Sequence, residues 1–439
     1  MSEPTPTHAT SPLAALRDAI GLCVHCGFCL QACPTYLAAG EENDSPRGRI
    51  LLMRAMADAE LAIDDPVAAA HLDRCLGCRA CETACPSGVP YGMLLEGARA
   101  AQHAHRPPPR LARWILRAFA RPRLLALLLA LARAARALGV ASLAARLPGR
   151  TGFGAAMLAA TAVRRSAPEE PARHVGTSST ARTDAHSAAA RGRAVILRGC
   201  VMRGLYAGTN HATTRVLAAN GYALCTAPGQ RCCGALHAHA GDMDTARRLA
   251  RWNIAAFERV GADVIVVNAS GCGAAMKEYG HLLRDDPAWS ARAAAISARV
   301  RDVSEVLAAA GPRPGALPPR VRPLRIAYDA PCHLHHAQRV TGAPLQVLHA
   351  IAGAELVPLA DADQCCGSAG IYNLVQPALA DAVLARKLDA IAAAGADIIV
   401  TGNPGCLMQI GAGLLRAGQR TRVMHLVDLL DAAYAGREP

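Results

Sequence analysis

One cysteine spacing occurs twice in this chain and leaves few folds open to its first hundred residues. Cys23-x-x-Cys26-x-x-Cys29-x-x-x-Cys33-Pro34 returns as Cys75-x-x-Cys78-x-x-Cys81-x-x-x-Cys85-Pro86. Intervals of two, two and three residues wrap three thiolates around one face of an iron–sulfur cube and carry the fourth cysteine to a neighbouring cube. The spacing therefore predicts two [4Fe–4S] clusters, one on Cys23, Cys26, Cys29 and Cys85, the other on Cys33, Cys75, Cys78 and Cys81. Zinc is satisfied by paired Cys-x-x-Cys clips and has no use for a third cysteine two residues further on. Pro34 and Pro86 are expected to end the ligand loops, because proline fixes φ and removes a donor.

The 41 residues from Pro34 to Arg74 exceed what a compact β-hairpin ferredoxin needs. Ser45-Pro46 followed by Arg47 to Glu60 carries a cap, a first-turn proline and apolar residues at helical spacing, Ile50, Leu51, Met53 and Met56. The first domain, 13–105, is thus expected to be mainly helical, with Arg47 and Arg49 either beside a cluster, offsetting its charge, or solvated at the helix start.

Seventeen cysteines in 439 residues suit metal ligation in a reducing compartment better than disulfides. Met1 to Pro12 is polar and lacks a basic stretch followed by an apolar core, so a cytoplasmic protein is expected. The longest apolar run, Leu124 to Ala132, is too short to span a bilayer. Arg110, Arg113, Arg117, Arg121, Arg123, Arg133 and Arg136 surround it. This segment, 106–163, either packs on protein or makes peripheral contact with the inner face of the cytoplasmic membrane. Net charge is +13, but aromatics are only 3% and no basic recognition helix is evident, which argues against nucleic acid. Residues 164–193, rich in Ser, Thr, Pro, Ala and His, are expected to be a flexible linker.

Beyond the linker the chain repeats itself. Gly261-Ala-Asp-Val-Ile-Val-Val-Asn-Ala-Ser-Gly-Cys272 returns as Gly395-Ala-Asp-Ile-Ile-Val-Thr-Gly-Asn-Pro-Gly-Cys406, and Cys232-Cys233-Gly234 as Cys365-Cys366-Gly367. Cys200 corresponds to Cys332, and all offsets fall between 132 and 134 residues. Continuous apolar runs such as Val264 to Val267 and Ile398 to Val400 predict strands buried on both faces. Alternation with Ala-rich helices predicts a parallel α/β layer in each repeat, 194–310 and 322–436. The fold class expected is α+β multidomain: a helical ferredoxin-like domain, then two tandem α/β Cys-Cys-Gly repeats.

Each cysteine follows a strand, and ligands of open α/β sheets bind at the carboxyl ends of strands. Cys200, Cys232, Cys233 and Cys272, and likewise Cys332, Cys365, Cys366 and Cys406, are brought to one sheet edge by this reading. Four thiolates per repeat suit a further cluster, a surface of free thiols, or a metal site shared with His333, His335 or His336. Cys225 has no counterpart and is expected to be a small buried hydrophobe, and His237 and His239 are read as ordinary surface or core histidines. No dinucleotide fingerprint, phosphate loop or nucleophile elbow is present, so substrate oxidation is assigned to a partner.

Cys23-Val-His-Cys26-Gly-Phe-Cys29, Pro46-Arg-Gly-Arg-Ile, Asp73-Arg-Cys75, Cys81-Glu-Thr-x-Cys85-Pro-Ser-Gly, Ala269-Ser-Gly-Cys272-Gly-Ala-x-x-Lys277-Glu-Tyr-Gly and Cys365-Cys-Gly-Ser-Ala-Gly together resemble the iron–sulfur subunits of bacterial glycolate oxidase. The resemblance runs from about residue 13 to the C-terminus and weakens across the Arg-rich segment and linker. It implies an oxidoreductase complex in which an FAD-binding subunit oxidises glycolate to glyoxylate, a second flavoprotein-like subunit accompanies it, and this chain relays electrons towards quinone. The equivalent subunit of an L-lactate or glycerol 3-phosphate dehydrogenase is the alternative, because a relay is blind to substrate; the Lys277-Glu-Tyr-Gly stretch favours glycolate. The repeats also resemble the Cys-Cys-Gly modules of heterodisulfide reductase, which implies as a further alternative an enzyme that itself reduces disulfides through Cys232-Cys233 and Cys365-Cys366. There this sequence departs from the pattern, with Ala269 and Asn403 where an added Cys-x-x-Cys would begin.

Overall fold

A computed structural model describes residues 13–161 and 191–439. Within 13–161 the secondary structure is entirely helical. Pro34 opens the helix Pro34–Ala39 directly after Cys33, so it starts an element where it was expected only to stop a loop. The helix expected after Ser45 runs Pro46–Ala57; Ser45 caps it, its Oγ accepting the Gly48 N–H at 3.0 Å. Ile50, Met53 and Met56 turn inward, whereas Leu51 is 54% exposed. Gly48 permits a close crossing: a Cβ there would lie 2.1 Å from the Glu42 carbonyl oxygen. This helix packs with Pro66–Asp73 and Tyr91–His105 around a core that includes Leu72, Leu94, Cys75 and Cys81.

The Arg-rich segment forms the helices Arg110–Ala120, Pro122–Ala137, Val140–Ala144 and Gly149–Ala159. Among the described residues no helix is long and apolar enough to cross a membrane. Leu125 enters the core of the first repeat, and Leu129 lies against Gly204, where an added Cβ would stand 2.3 Å away. Arg133 and Arg136 donate to the carbonyls of Gly204 and Thr161, at 3.2 and 2.7 Å. Gly149–Ala159 rests on the helix Pro404–Arg416 of the second repeat. The segment thus braces both repeats. The linker expected at 164–193 lies up to residue 190 outside the described residues, and Arg193 already begins the first strand.

β1 (Arg193–Ile196), β2 (Ala223–Cys225), β3 (Val264–Val267) and β4 (Val300–Asp302) form a sheet in the order β2-β1-β3-β4. The strands that follow are β5 (Gly315–Ala316), β6 (Leu324–Tyr328), β7 (Ile351–Ala352), β8 (Ala354–Leu356), β9 (Ile398–Thr401) and β10 (Arg422–His425). β10-β9-β6-β8 make a second sheet with the same order of equivalents, and every pairing is parallel. β5 lies between the two expected repeats and pairs with β7. The parallel layers follow from the continuous apolar runs: Ile265, Val266 and Val267, and Ile398, Ile399 and Val400, are all buried. A common core joins the two sheets, with Val266 and Val303 of the first packed among Ile326, Ile398 and Leu429 of the second.

Candidate iron–sulfur centres

The two Cys-x-x-Cys motifs adopt the same backbone. His25 and Gly27 have φ of 54° and 88°, and Gly77 and Arg79, at the same offsets in the second motif, both have 65°. These left-handed residues curl each loop around a centre. A recess of about 410 Å³ is lined by Cys23, Cys26, Cys29 and Cys85, with Cys81 on its wall. A second, of about 280 Å³, is lined by Cys33, Cys75, Cys78 and Cys81. Each motif's fourth cysteine thus stands with the other motif's first three. Neither recess has a carboxylate in its lining.

Sulfur is also the acceptor of local hydrogen bonds. The Gly77 N–H and the Tyr91 hydroxyl donate to Cys75 Sγ at 3.4 and 3.6 Å, and Cys33 Sγ shares a 3.2 Å hydrogen bond with Thr35 Oγ1. Burial pushes the Cys29 thiol up to about 11 and holds Cys78 and Cys81 well above the ordinary thiol value. Without a cation these thiols stay protonated; binding iron displaces the protons. Four soft donors lining an apolar recess fit an iron–sulfur cluster in each; the second set is buried, whereas Cys26 of the first is exposed.

Both arginines singled out by sequence stand at these walls. Arg47 lines the first recess and pairs with Glu42 at 2.6 Å. Arg49 lines the second with its side chain wholly buried, donating to the His71 carbonyl, Thr35 Oγ1 and Asp44 Oδ1 at 2.7, 3.1 and 3.3 Å.

In each repeat the four cysteines form an ordered row of neighbouring sulfurs. Cys200 meets Cys232, Cys232 meets Cys233, and Cys233 meets Cys272. Cys332, Cys365, Cys366 and Cys406 repeat that order, with 3.3 Å between the last two sulfurs. β1, β3, β6 and β9 end four or five residues before the cysteines that follow them, so their carboxyl ends gather the thiols as the repeat pattern predicts. Cys225 lies apart within β2, half-buried.

The supports of these loops escaped sequence reasoning. Asn253 Nδ2 donates to the Cys232 carbonyl at 3.0 Å, and the Tyr279 hydroxyl to the Cys233 carbonyl at 2.8 Å. The motif Lys277-Glu-Tyr-Gly therefore serves the cysteine loop through Tyr279, while Lys277 pairs with Glu305 at 2.7 Å. In the second repeat the buried Lys387 donates to the Asp361 carbonyl at 2.6 Å and pairs with buried Asp329 at 3.0 Å. Ala269 caps its helix from a buried position, and Asn403, its counterpart, points Nδ2 at Cys406 Sγ, 3.7 Å away.

The helical domain docks on both repeats. Leu76, Cys78 and Ala80 pack with Cys365, Tyr372 and Val383, with Cys332 alongside. The Tyr372 hydroxyl donates to the Arg74 carbonyl at 2.8 Å. Thr83 Oγ1 lies 2.8 Å from His336 Nδ1, and His336 Nε2 lies 3.0 Å from the Asp363 carbonyl oxygen. His335, His336 and Asp363 come together, but both His336 nitrogens are committed to these bonds, which tie the Cys81 helix to the Cys365 loop. On the other side Arg79 pairs with Glu82 and Glu278, and Glu96 with His239 at 3.0 Å. His333 is half-buried with Nδ1 3.5 Å from Cys332 Sγ, and desolvation lowers it to about 3. His237 is buried and pairs with Asp242 at 3.0 Å.

Comparison with known proteins agrees with this architecture. The family described as 4Fe-4S dicluster domain matches residues 19–89, and the family described as Cysteine-rich domain matches 194–277 and 326–411. A Bacillus subtilis (strain 168) protein named "Probable glycolate oxidase iron-sulfur subunit" is 39% identical over 93% of this chain and 92% of its own length. The "Glycolate oxidase iron-sulfur subunit" of Escherichia coli (strain K12) is 35% identical over 94% and 93%. "Lactate utilization protein A" of Shouchella clausii (strain KSM-K16) is 29% identical over 53% of this chain and 96% of that protein. Identity at this level, sustained along nearly the whole of both chains and across both kinds of cysteine centre, places the chain in the family of glycolate oxidase iron–sulfur subunits.

Proposed function

We propose that this chain is the electron-transfer subunit of a complex that oxidises glycolate to glyoxylate. In this reading an FAD-binding partner subunit takes the electrons from glycolate, a second flavoprotein-like subunit completes the assembly, and quinone at the cytoplasmic face of the membrane is the acceptor. Cys23, Cys26, Cys29 and Cys85 hold one cluster and Cys33, Cys75, Cys78 and Cys81 the other. A [4Fe–4S] cluster bound in each recess supplies one-electron transfer. The chain's own residues bury the second site, hold the two sites side by side through Cys81, and offset their charge with Arg47 and Arg49.

The observation that carries the reading is the crossed arrangement of eight cysteines in two adjacent recesses. The relatives that match along nearly the whole chain favour glycolate over lactate, since the lactate utilization proteins match only about half of it. The four-sulfur chains are the sites for any further iron, and the adjacency of Cys78 to Cys332 and Cys365 makes the second repeat the nearer one. Iron and acid-labile sulfide on anaerobically purified complex test this. About eight of each per chain, with Cys26→Ser and Cys78→Ser abolishing glycolate-driven acceptor reduction, is expected. Iron beyond eight that disappears with Cys365→Ser assigns a cluster to the second repeat. Undiminished turnover in the two variants ends the relay reading.

A further inference from the structure

Charge is distributed very unevenly over this molecule. Ten arginines and no Asp or Glu occur between residues 106 and 161, against a net charge of +13 for the entire chain. Arg110, Arg113, Arg117, Arg121 and Arg123 form no ion pair with any carboxylate of the described residues. Among the described residues, the same segment also holds eight of the seventeen exposed large hydrophobic ones: Leu111, Trp114, Leu127, Leu131, Leu138, Val140, Leu143 and Leu147.

These side chains are ordered by the helices. Along Arg110–Ala120, Arg110, Arg113 and Arg117 share one face with Trp114 beside them, while Ala112 and Leu116 are buried behind. Along Pro122–Ala137, Leu127 and Leu131 stand one turn apart, at 57% and 58% exposure, and Leu138 continues the line just past the helix end. The opposite side is fixed to the first repeat by Leu125, Leu129 and Arg133. A rigid scaffold thus holds an apolar stripe outward beside a basic, tryptophan-bearing face.

We infer that the outer face of residues 110–147 docks on a bilayer rich in anionic phospholipid, with the leucines entering the headgroup boundary and the arginines contacting phosphate. Ten arginines with no acid among them, mixed with Trp and Leu, complement the anionic headgroup region, where basic side chains meet phosphate while apolar ones enter the acyl boundary. Positive residues near an anionic surface each strengthen attachment by about fivefold. This deepens the proposed function, resting on its quinone acceptor for purpose; vesicle binding, however, is read without any acceptor or substrate.

The test is co-sedimentation of the purified complex with vesicles of phosphatidylglycerol and phosphatidylcholine mixed, and with phosphatidylcholine alone. Binding to the anionic vesicles only, weakened by salt, is expected. Leu127→Glu/Leu131→Glu should lower partitioning about tenfold or more, and Arg110→Gln/Arg113→Gln/Arg117→Gln about a hundredfold. Val67→Glu, at an equally exposed position on the helical domain, should bind as the parent does. Failure of the complex to bind, or equal binding by the variants, overturns the inference. So does loss of partner subunits from the leucine variant on gel filtration, which would make this face a protein interface. Turnover with a soluble acceptor and unchanged iron content verify that the variants are folded.

Discussion

His425 is fully enclosed, and both of its ring nitrogens are engaged. Nε2 donates to the Asn268 carbonyl across the two sheets at 2.8 Å, and Nδ1 accepts the Val427 N–H at 3.1 Å. That pattern fixes the neutral tautomer, and burial lowers the imidazole from 6.5 to about 4. The unfolded chain takes up a proton as pH falls through 6.5 while the folded chain does not. The stabilisation from a neutral His425 is therefore complete above 6.5 and lost as pH falls towards 4. About 2 kcal/mol should be gone by pH 5. Asp428, pushed up to about 7 by burial, acts in the opposite sense, since its contribution is lost as pH rises from 3.8 towards 7. The informative quantity is the difference between chains. Between pH 7.5 and 5.0 the urea midpoint of the parent should fall further than that of His425→Gln, and equal falls would remove His425 as the cause.

At the scale of elements, each repeat folds strand, cysteine loop and helix so closely that the Cys-Cys loop must turn with a left-handed residue. Gly234 and Gly367 have φ of 91° and 85°. Their surroundings differ: a Cβ on Gly234 would lie 3.3 Å from the Ala246 carbonyl oxygen, but one on Gly367 would lie 2.6 Å from that of Ala380. Gly234→Ala should cost about 1–2 kcal/mol for the backbone conformation. Gly367→Ala should cost about 1–3 kcal/mol more, because a helix carbonyl has to move. Urea unfolding of the two variants gives the order, and a reversed order would refute it. The strands and their trailing cysteines were readable from continuous apolar runs and a fixed repeat offset, which are local or periodic signals. The props of the loops were not. Asn253, Tyr279, Asp329 and Lys387 act across 20 to 60 residues of chain, and nothing in their immediate neighbours distinguishes a buried lysine from a solvated one.

For the whole molecule, spacing alone made the crossed cysteine pairs readable, but not which repeat the second recess would face. That depends on long-range docking: Cys78 with Cys332 and Cys365, Tyr372 on the Arg74 carbonyl, and Thr83 on His336. It follows that iron bound at Cys75, Cys78 and Cys81 supports more than its own loop, because metal binding and folding are coupled. Removing it leaves buried thiols with no cation, and the Ala80–Thr83 helix loses the anchor at Cys81 from which Thr83 reaches His336. The loop 363–372 then loses its partners as well. Hydrogen exchange on anaerobic holo-protein and on protein treated with oxidant and chelator should show protection falling in 75–85 and also in 363–376. The first sheet, for which Val264–Val267 is the reporter, should remain protected, because its core is built from Val195, Ile265, Ile254 and Phe257 rather than from the docking contacts. Loss confined to 75–85 would mean that the helical domain and the second repeat fold independently. Loss that spreads equally through both sheets would mean that the iron supports the chain as one cooperative unit.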